Sequence, residues 1–344
     1  MVRERVYHAD VIRIFACLLV VLMHSPMPGP KLIPFFTSGL TYFSMPCIGL
    51  FLTLSGYLLL PVKTAPSESF NFAWSRVKKF LLPLIIWSLI YLMVDGVFFS
   101  GNLKVAIRHL LSLPFYPQEG VLWYMYVLIG LYFVSPVITP WLVQANEKTI
   151  RIYLMIWGIS LLVPYISPFV DVREGTSGIL YYFSGYLGYF ILGYYIKTFN
   201  INIRPIIALS VIIILMAFYA IFRIFEDNLT IKFGEVFWYL SVDSPILVIM
   251  WWNLLKPISE KINLGSSRLK NFIVELSNMS FGVYLAHILV MRHCLWNWNL
   301  IQSIDNYFVQ TIIVFVLSVL GSLLLVYLLS LSSFGKYIIA YTKR

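Results

Sequence analysis

The chain has 344 residues, 60% of them hydrophobic and only 12% charged, with a mean hydropathy of +0.84. So few charges cannot keep a folded surface of this size in water, which argues against a soluble enzyme and makes lipid the expected solvent. The formal charge of +10 would suit a nucleic-acid partner, but the basic residues lie in short loops between apolar runs and not on one amphipathic face. No nucleic-acid partner is expected, and membrane topology accounts for the charge better.

Apolar runs of roughly 17–25 residues, the length of helix that crosses a hydrocarbon core, recur along the chain. They predict an all-α polytopic bundle of about ten transmembrane helices. The spans fall near residues 11–29, 38–60, 80–99, 121–142, 150–169, 179–197, 205–224, 236–255, 272–292 and 309–332. Turn formers punctuate them, among them Pro28-Gly29-Pro30, Ser100-Gly101-Asn102, Asn200 to Pro205 and Gly265-Ser266-Ser267.

Asp10, Arg13 and His24 interrupt the first run, and no small-residue cleavage site follows it cleanly, so this helix is expected to be retained and not cleaved as a signal peptide. Lys and Arg gather on one side of the predicted spans, at Arg76, Lys78, Lys79, Lys148, Arg151, Lys256, Lys261, Arg268 and Lys270 among others, which places both termini in the cytoplasm. The polar stretches near 100–120, 170–178, 225–235 and 256–271 are read as loops, so residues 1–344 form a single transmembrane domain with no soluble domain attached. Cys17, Cys47 and Cys294 have unrelated spacings in or beside apolar segments. They predict buried packing residues, with no disulfide framework and no metal site.

Ionisable groups inside a membrane are costly and usually face a bundle interior or a wet cavity, which marks them as functional candidates. In the first span Asp10 and Arg13 are one helical turn apart and can pair. Arg13 and His24 are eleven residues apart, so at about 100° per residue they return to within about 20° of one face, with a rise of about 16 Å between them. A neutral histidine there can take a proton from a hydroxyl, and His24 is the candidate general base. A histidine that only bonds a neighbouring helix would look the same. Arg13 is either a structural partner of Asp10 or a fork for phosphate or carbonyl oxygen.

A second intramembrane histidine closes Tyr284-Leu-Ala-His287. Physics alone favours a structural role for it, since nothing in the sequence makes it face His24. His109 and His293 fall near the outer boundary and are expected to be solvated, and His8 carries no strong signal. Asp243, beside Pro245 in the eighth span, is open to both a packing and a site role. Trp123, Tyr124, Tyr126 and the run Tyr181, Tyr182, Tyr186 and Tyr189 suit sugar stacking, but aromatic residues also gather at membrane interfaces.

Asp10, Arg13 and His24 together resemble the opening signature of the acyltransferase-3 family of membrane O-acyltransferases. Further motifs follow in the family's order: Gly49-Leu-Phe-Leu-Thr-Leu-Ser-Gly-Tyr57 in the second span, Arg76-Val-Lys-Lys-Phe-Leu-Leu-Pro83 at the start of the third and Leu122-Trp-Tyr-Met-Tyr-Val-Leu-Ile-Gly-Leu-Tyr132 in the fourth. Gly185-Tyr-Leu-Gly-Tyr-Phe-Ile-Leu-Gly193 and Tyr284-Leu-Ala-His287 fit later positions, so the resemblance extends over about residues 7–292. The chain departs from the family in two places. Arg76 and Lys79 stand where two arginines are common, and Leu128 and Ile129 stand where many members have paired glutamates. The second departure argues against a fourth-span carboxylate and resembles the branch of small, stand-alone sugar O-acetyltransferases.

The resemblance implies acyl transfer from acyl-coenzyme A, most often acetyl-coenzyme A, to a hydroxyl of a carbohydrate assembled at the cell (inner) membrane, with no bound cofactor. It implies His24, Arg13 and Asp10 as the catalytic group. Arg76 and Lys79 would lie on the donor phosphates, and Trp123, Tyr124, His287 and Ser55 on the acceptor. The positive-inside rule would also place Arg76 and Lys79 where they are. The competing class is a polytopic transporter of a polysaccharide precursor or solute, in which Asp10, Arg13, His24, Asp243 and His287 form a proton relay. Inverted repeats would favour that class, and no convincing internal symmetry is present.

Overall fold

The computed structural model describes residues 5–99, 103–170, 183–225 and 236–341. Every regular element among them is a helix. In chain order these are α1 (Tyr7–His24), α2 (Pro34–Ser44), α3 (Pro46–Leu59), α4 (Ser69–Val94), α5 (Leu103–Ser112), α6 (Trp123–Gln144), α7 (Glu147–Ser160) and α8 (Val163–Val170). After them come α9 (Leu187–Phe199), α10 (Pro205–Phe225), α11 (Asp243–Leu254), α12 (Lys256–Leu264) and α13 (Ser267–Ile288). A π-helical segment, Leu289–Leu295, extends α13, and α14 (Asn299–Gln302), α15 (Tyr307–Ser330) and α16 (Ser333–Ile338) complete the series.

Among the described residues, eight helical stretches are long and apolar enough to cross a bilayer: Tyr7–His24, Pro34–Leu59, Ser69–Val94, Gly120–Gln144, Glu147–Ile166, Pro205–Phe225, Ser267–Leu295 and Tyr307–Ser330. The other two predicted spans contain the shorter helices α9, with 13 residues, and α11, with 12. Tyr181 and Tyr182 lie outside the described residues, as does most of the loop predicted near 225–235. Two other predicted loops hold helix: α5 within 100–120, and α12 with the start of α13 within 256–271.

The termini follow local chemistry. Pro34 and Pro46 begin α2 and α3, where a missing N–H costs nothing. Asn146 caps α7 by accepting from Thr149 N, and Asn306 caps α15 by accepting from Phe308 N and Val309 N. Asn200 ends α9 in the left-handed conformation, φ 47°. On α15, Ile312, Val316, Leu320 and Leu324 form an exposed apolar stripe at four-residue spacing, while Val314, Ser318 and Ser322 are buried. In water that stripe would be a liability; against acyl chains it costs nothing.

The chain divides into two compact units. The first comprises Met1–Met23, Ile33–Val62 and Thr139–Val274. Within it α3 packs along α9 so closely that a Cβ added to Gly56 would overlap the Phe190 carbonyl, and one added to Gly193 would overlap the Thr53 carbonyl. Small residues at such a contact let two backbones approach in a setting where lipid offers helices no hydrophobic drive to associate. Lys197 Nζ donates to the Leu60 carbonyl at 2.7 Å, placing a cation at the C-terminal end of α3. Asp243, in the first turn of α11, is buried and accepts from Tyr165 Oη at 2.8 Å. Next to it on α11, Ser244 Oγ lies 2.7 Å from Tyr189 Oη of α9, so these side chains join three helices of one unit.

The second unit comprises His24–Leu32, Lys63–Ile138 and Glu275–Arg344. Two of its buried donors are satisfied across helices: Tyr91 Oη donates to the Leu285 carbonyl at 2.8 Å, and Trp87 Nε1 to the Ile338 carbonyl at 3.0 Å. Phe80 meets Phe281 edge-on at 5.2 Å between ring centroids. Cys17 and Cys47 are buried as expected, but Cys294 is exposed. It sits in the π-helical segment beyond α13, where a place beside an apolar run does not ensure burial.

Candidate functional site

The divide between the units falls within α1, between Met23 and His24. Asp10 and Arg13 therefore belong to the first unit and His24 to the second.

Asp10 occupies the first turn of α1, where a carboxylate complements the exposed amides of the helix start. It is buried and doubly bound by Arg5, with Nε to Oδ2 at 2.8 Å and Nη2 to Oδ1 at 3.0 Å. Arg13 lies one turn on, its Nη1 3.9 Å from Asp10 Oδ1. The expected Asp10–Arg13 pair is present, but Arg5 is the closer partner. Sequence reasoning gave Arg5 only to the positive-inside pattern, because five residues is not a helical pairing distance and Arg5 precedes α1. His8 is also better engaged than expected: Nδ1 lies 3.0 Å from Ser259 Oγ, and its ring packs edge-on against Trp252 at 5.1 Å. Ser55 Oγ donates to the Phe51 carbonyl one turn back in its own helix, at 2.8 Å.

In the second unit α13 presents Ser277, Ser280, Tyr284 and His287, all buried, at the three- and four-residue spacings of one helical face. His287 has no exposed surface, and its ring stands 5.3 Å from that of His24, centroid to centroid, at 61°. Nothing in the sequence required these two histidines to meet. His287 Nδ1 lies 2.6 Å from the Tyr284 carbonyl oxygen. A carbonyl only accepts, so Nδ1 carries the hydrogen and the neutral ring keeps its lone pair on Nε2. That Nε2 is buried without a hydrogen-bond partner among the described residues.

Tyr284 anchors this corner. Its hydroxyl donates to the Val121 carbonyl, and its ring meets Tyr124 edge-on at 5.7 Å and His287 at 6.2 Å. Tyr124, expected at the acceptor, thus meets this corner through Tyr284, a residue the sequence reading quoted only as part of a motif. Trp123 is half-buried at the start of α6. Beyond His287 the helix winds as a π-helix, a local form often found at functional sites. It carries Arg292, whose Nη1 lies 3.2 Å from each oxygen of the buried Glu119 and whose guanidinium sits 5.9 Å from the Trp296 ring centre. Glu119 also accepts from Gly120 N at 2.9 Å. The two remaining histidines have partners, His293 with Asp95 at 3.5 Å and His109 with Gln118 at 2.7 Å.

Arg76 and Lys79 belong to the same unit, near the start of α4. Arg76 lies over the Phe72 ring at 5.5 Å, and Lys79 is exposed. Among the described residues no three His, Cys, Asp or Glu side chains gather as a metal ion would need.

Chemically, the second unit offers a buried imidazole of fixed tautomer beside a half-buried one. The first holds a neutralised carboxylate with a second guanidinium next to it. No curated protein and no solved structure matches the chain. A family model described as an acyltransferase domain matches residues 6–330. The match takes in every motif that carried the resemblance, and with the membrane-spanning helices it settles the class: the chain belongs to the acyltransferase-3 family and is a multi-pass membrane acyltransferase.

Proposed function

We propose that this acyltransferase moves an acetyl group from acetyl-coenzyme A to a hydroxyl of a surface polysaccharide or lipid-linked sugar at the cell inner membrane. The observation that carries the reading is the pairing of His24 with His287 inside one compact unit of a membrane acyltransferase. Alcohol acylation needs a base that is neutral near pH 7 within reach of the hydroxyl, and imidazole is the side chain suited to it.

His24, the less buried of the two rings, takes the acceptor's proton. The alkoxide oxygen then bonds to the thioester carbon, the carbon–sulfur bond breaks, and the departing thiolate collects the proton from His24. A base so placed contributes about 10²–10⁴ in rate, and alignment of donor and acceptor contributes more. Arg13 polarises or holds the donor near the cytoplasmic boundary, and Asp10 with Arg5 fixes the local charge. Arg76 and Lys79 supply cations for the donor phosphates. On the acceptor side, Trp123 and Tyr124 provide ring faces and Ser55 a polar contact.

The test is transfer of radiolabel from acetyl-coenzyme A to membrane glycans in cells with and without the gene. Label that disappears in His24→Ala and Arg13→Ala, with protein levels unchanged, supports the reading. A chain that moves solute but leaves the glycan unlabelled belongs to a transport function, and the reading falls.

A further inference from the structure

His287 resembles neither an ordinary structural histidine nor an exposed substrate contact. Its ring is fully buried, one nitrogen is committed to the Tyr284 carbonyl, and the other is an acceptor with no partner among the described residues. Buried acceptors are normally satisfied, because an unmet lone pair forfeits its hydration without return. An acceptor left open in one state of a site is accounted for when another state supplies the donor. The neighbouring ring, His24, can supply such a donor: the tautomer that keeps one nitrogen free for the hydroxyl proton carries its N–H on the other.

Building on the acyl-transfer reading above, we infer that His287 is the positioning residue of the reaction: its Nε2 receives an N–H of His24 while His24 holds the proton of the acceptor hydroxyl. When the hydroxyl oxygen bonds to the acyl carbon and the carbon–sulfur bond breaks, His24 passes from imidazole, with one N–H, to imidazolium, with two. The new N–H points back toward the reacting oxygen and sulfur, and the one already present, now on a cation, gains most from an acceptor. In a low-dielectric interior, a hydrogen bond from an ion to a well-placed neutral acceptor is among the strongest available. His287 Nε2 offers it without bringing a permanent negative charge into the bundle.

Two carboxylates and a phenol of the same unit are engaged elsewhere. In the same unit the Glu119 carboxylate is engaged by Arg292 and the Asp95 carboxylate faces His293. The Tyr284 hydroxyl is committed to Val121. Tyr284 also fixes the His287 tautomer through its carbonyl, so one residue braces the corner and sets which nitrogen faces outward. The proton finally leaves His24 for the thiolate sulfur, which restores both neutral rings and balances the step.

Two substitutions separate the nitrogens of His287. His287→Asn places an amide near Nδ1, keeps a donor for the Tyr284 carbonyl and removes the acceptor at the Nε2 position. His287→Gln reaches that outer position and restores an acceptor there. The measurement is acetyl transfer by the full chain in nanodiscs, with kcat and the KM for acetyl-coenzyme A determined separately, and thermal unfolding followed in parallel. His287→Asn is expected to lower kcat about 10–100-fold, the size usual for loss of an orienting partner, with KM within about twofold of wild type. His287→Gln is expected to recover at least about tenfold of that loss. In a His24→Ala background His287→Asn is expected to change nothing further, because it acts through His24.

Equal activity of the Asn variant and wild type, or an added loss in the His24→Ala background, overturns the inference. The second result would make His287 a base in its own right. Should the Asn variant fail to fold, a folded His287→Gln variant as inactive as His24→Ala overturns it equally. Absence of transfer by the wild-type chain removes the acyl-transfer reading and this inference with it, whereas wild-type transfer with either overturning result removes the inference alone.

Discussion

Gly56 of α3 lies directly against the backbone carbonyl of Phe190 in α9, with no room for a methyl group between them. Gly193 stands in the same relation to the Thr53 carbonyl, so the contact is reciprocal. A Cβ at either position can be housed only by separating two helix backbones, because the obstructing atoms are main chain and cannot rotate away. Gly56→Ala and Gly193→Ala should each destabilise the first unit by at least the roughly 1–3 kcal/mol of ordinary overpacking. The expected result is a lower unfolding temperature in detergent and less folded protein in the membrane. Gly130→Ala is the control, since a Cβ there meets nothing within 4 Å.

These glycines show what was legible in the sequence. The motifs Gly49 to Tyr57 and Gly185 to Gly193 were quoted only as family resemblance, and the structure places them on α3 and α9, packed against each other. Helical class and most spans followed from run length alone, because a bilayer sets a minimum length for an apolar helix. The count was less secure for α9 and α11, whose helical parts are short. In the site, spacing found Asp10–Arg13, since a pair within one helix is a local matter. It could not find Arg5, which approaches from outside the helix, or the meeting of His24 with His287, which depends on how α1 and α13 pack. The pairing of Arg292 with Glu119, 173 residues apart, has no local signature either.

At the N-terminal end of α1, Arg5 takes both oxygens of Asp10, so neutralising Asp10 does not depend on Arg13. Arg13→Ala should therefore cost acyl transfer far more than Asp10→Asn. We expect a loss of about 10²-fold or more for the former, the scale of a removed charge-stabilising group, and a smaller one for the latter. In Arg5→Ala the cation left beside Asp10 among the described residues is Arg13, at 3.9 Å, and drawing it inward should raise the KM for acyl-coenzyme A with kcat largely kept. Steady-state kinetics of the three variants would check the order, and an Asp10→Asn variant as inactive as Arg13→Ala would refute it.

Glu119 is buried while Arg292 is partly exposed, so their ion pair is lopsided. Removing the arginine alone strands a carboxylate that keeps only the Gly120 amide. Arg292→Leu should therefore be more destabilising than Glu119→Gln/Arg292→Leu, in which no charge is left behind. The single-variant cost should fall between the ~0.2–1 kcal/mol of exposed pairs and the ~3–5 kcal/mol of breaking a fully buried one. A double-mutant cycle on thermal unfolding would measure it.

Tyr341, beyond the last span, donates its hydroxyl proton to Glu275 Oε1 at 2.6 Å. Partial burial, then this bond and the nearby carboxylate charge, push the phenol up to about 12 from its usual value near 10. The folded chain thus favours the protonated phenol more than the unfolded chain does. The stabilisation is fully present below about pH 10, where both states are protonated, and fades as pH rises through 10 toward 12. Tyr341→Phe should lower the unfolding temperature at neutral pH, and the gap from wild type should close across that alkaline window. Glu275→Gln, which removes the charge and keeps an acceptor, should shift tyrosinate formation at Tyr341 toward lower pH. Unfolding curves for the three proteins between pH 7 and 12 test the assignment, and a gap that stays constant over the whole range would show that this hydrogen bond is not its source.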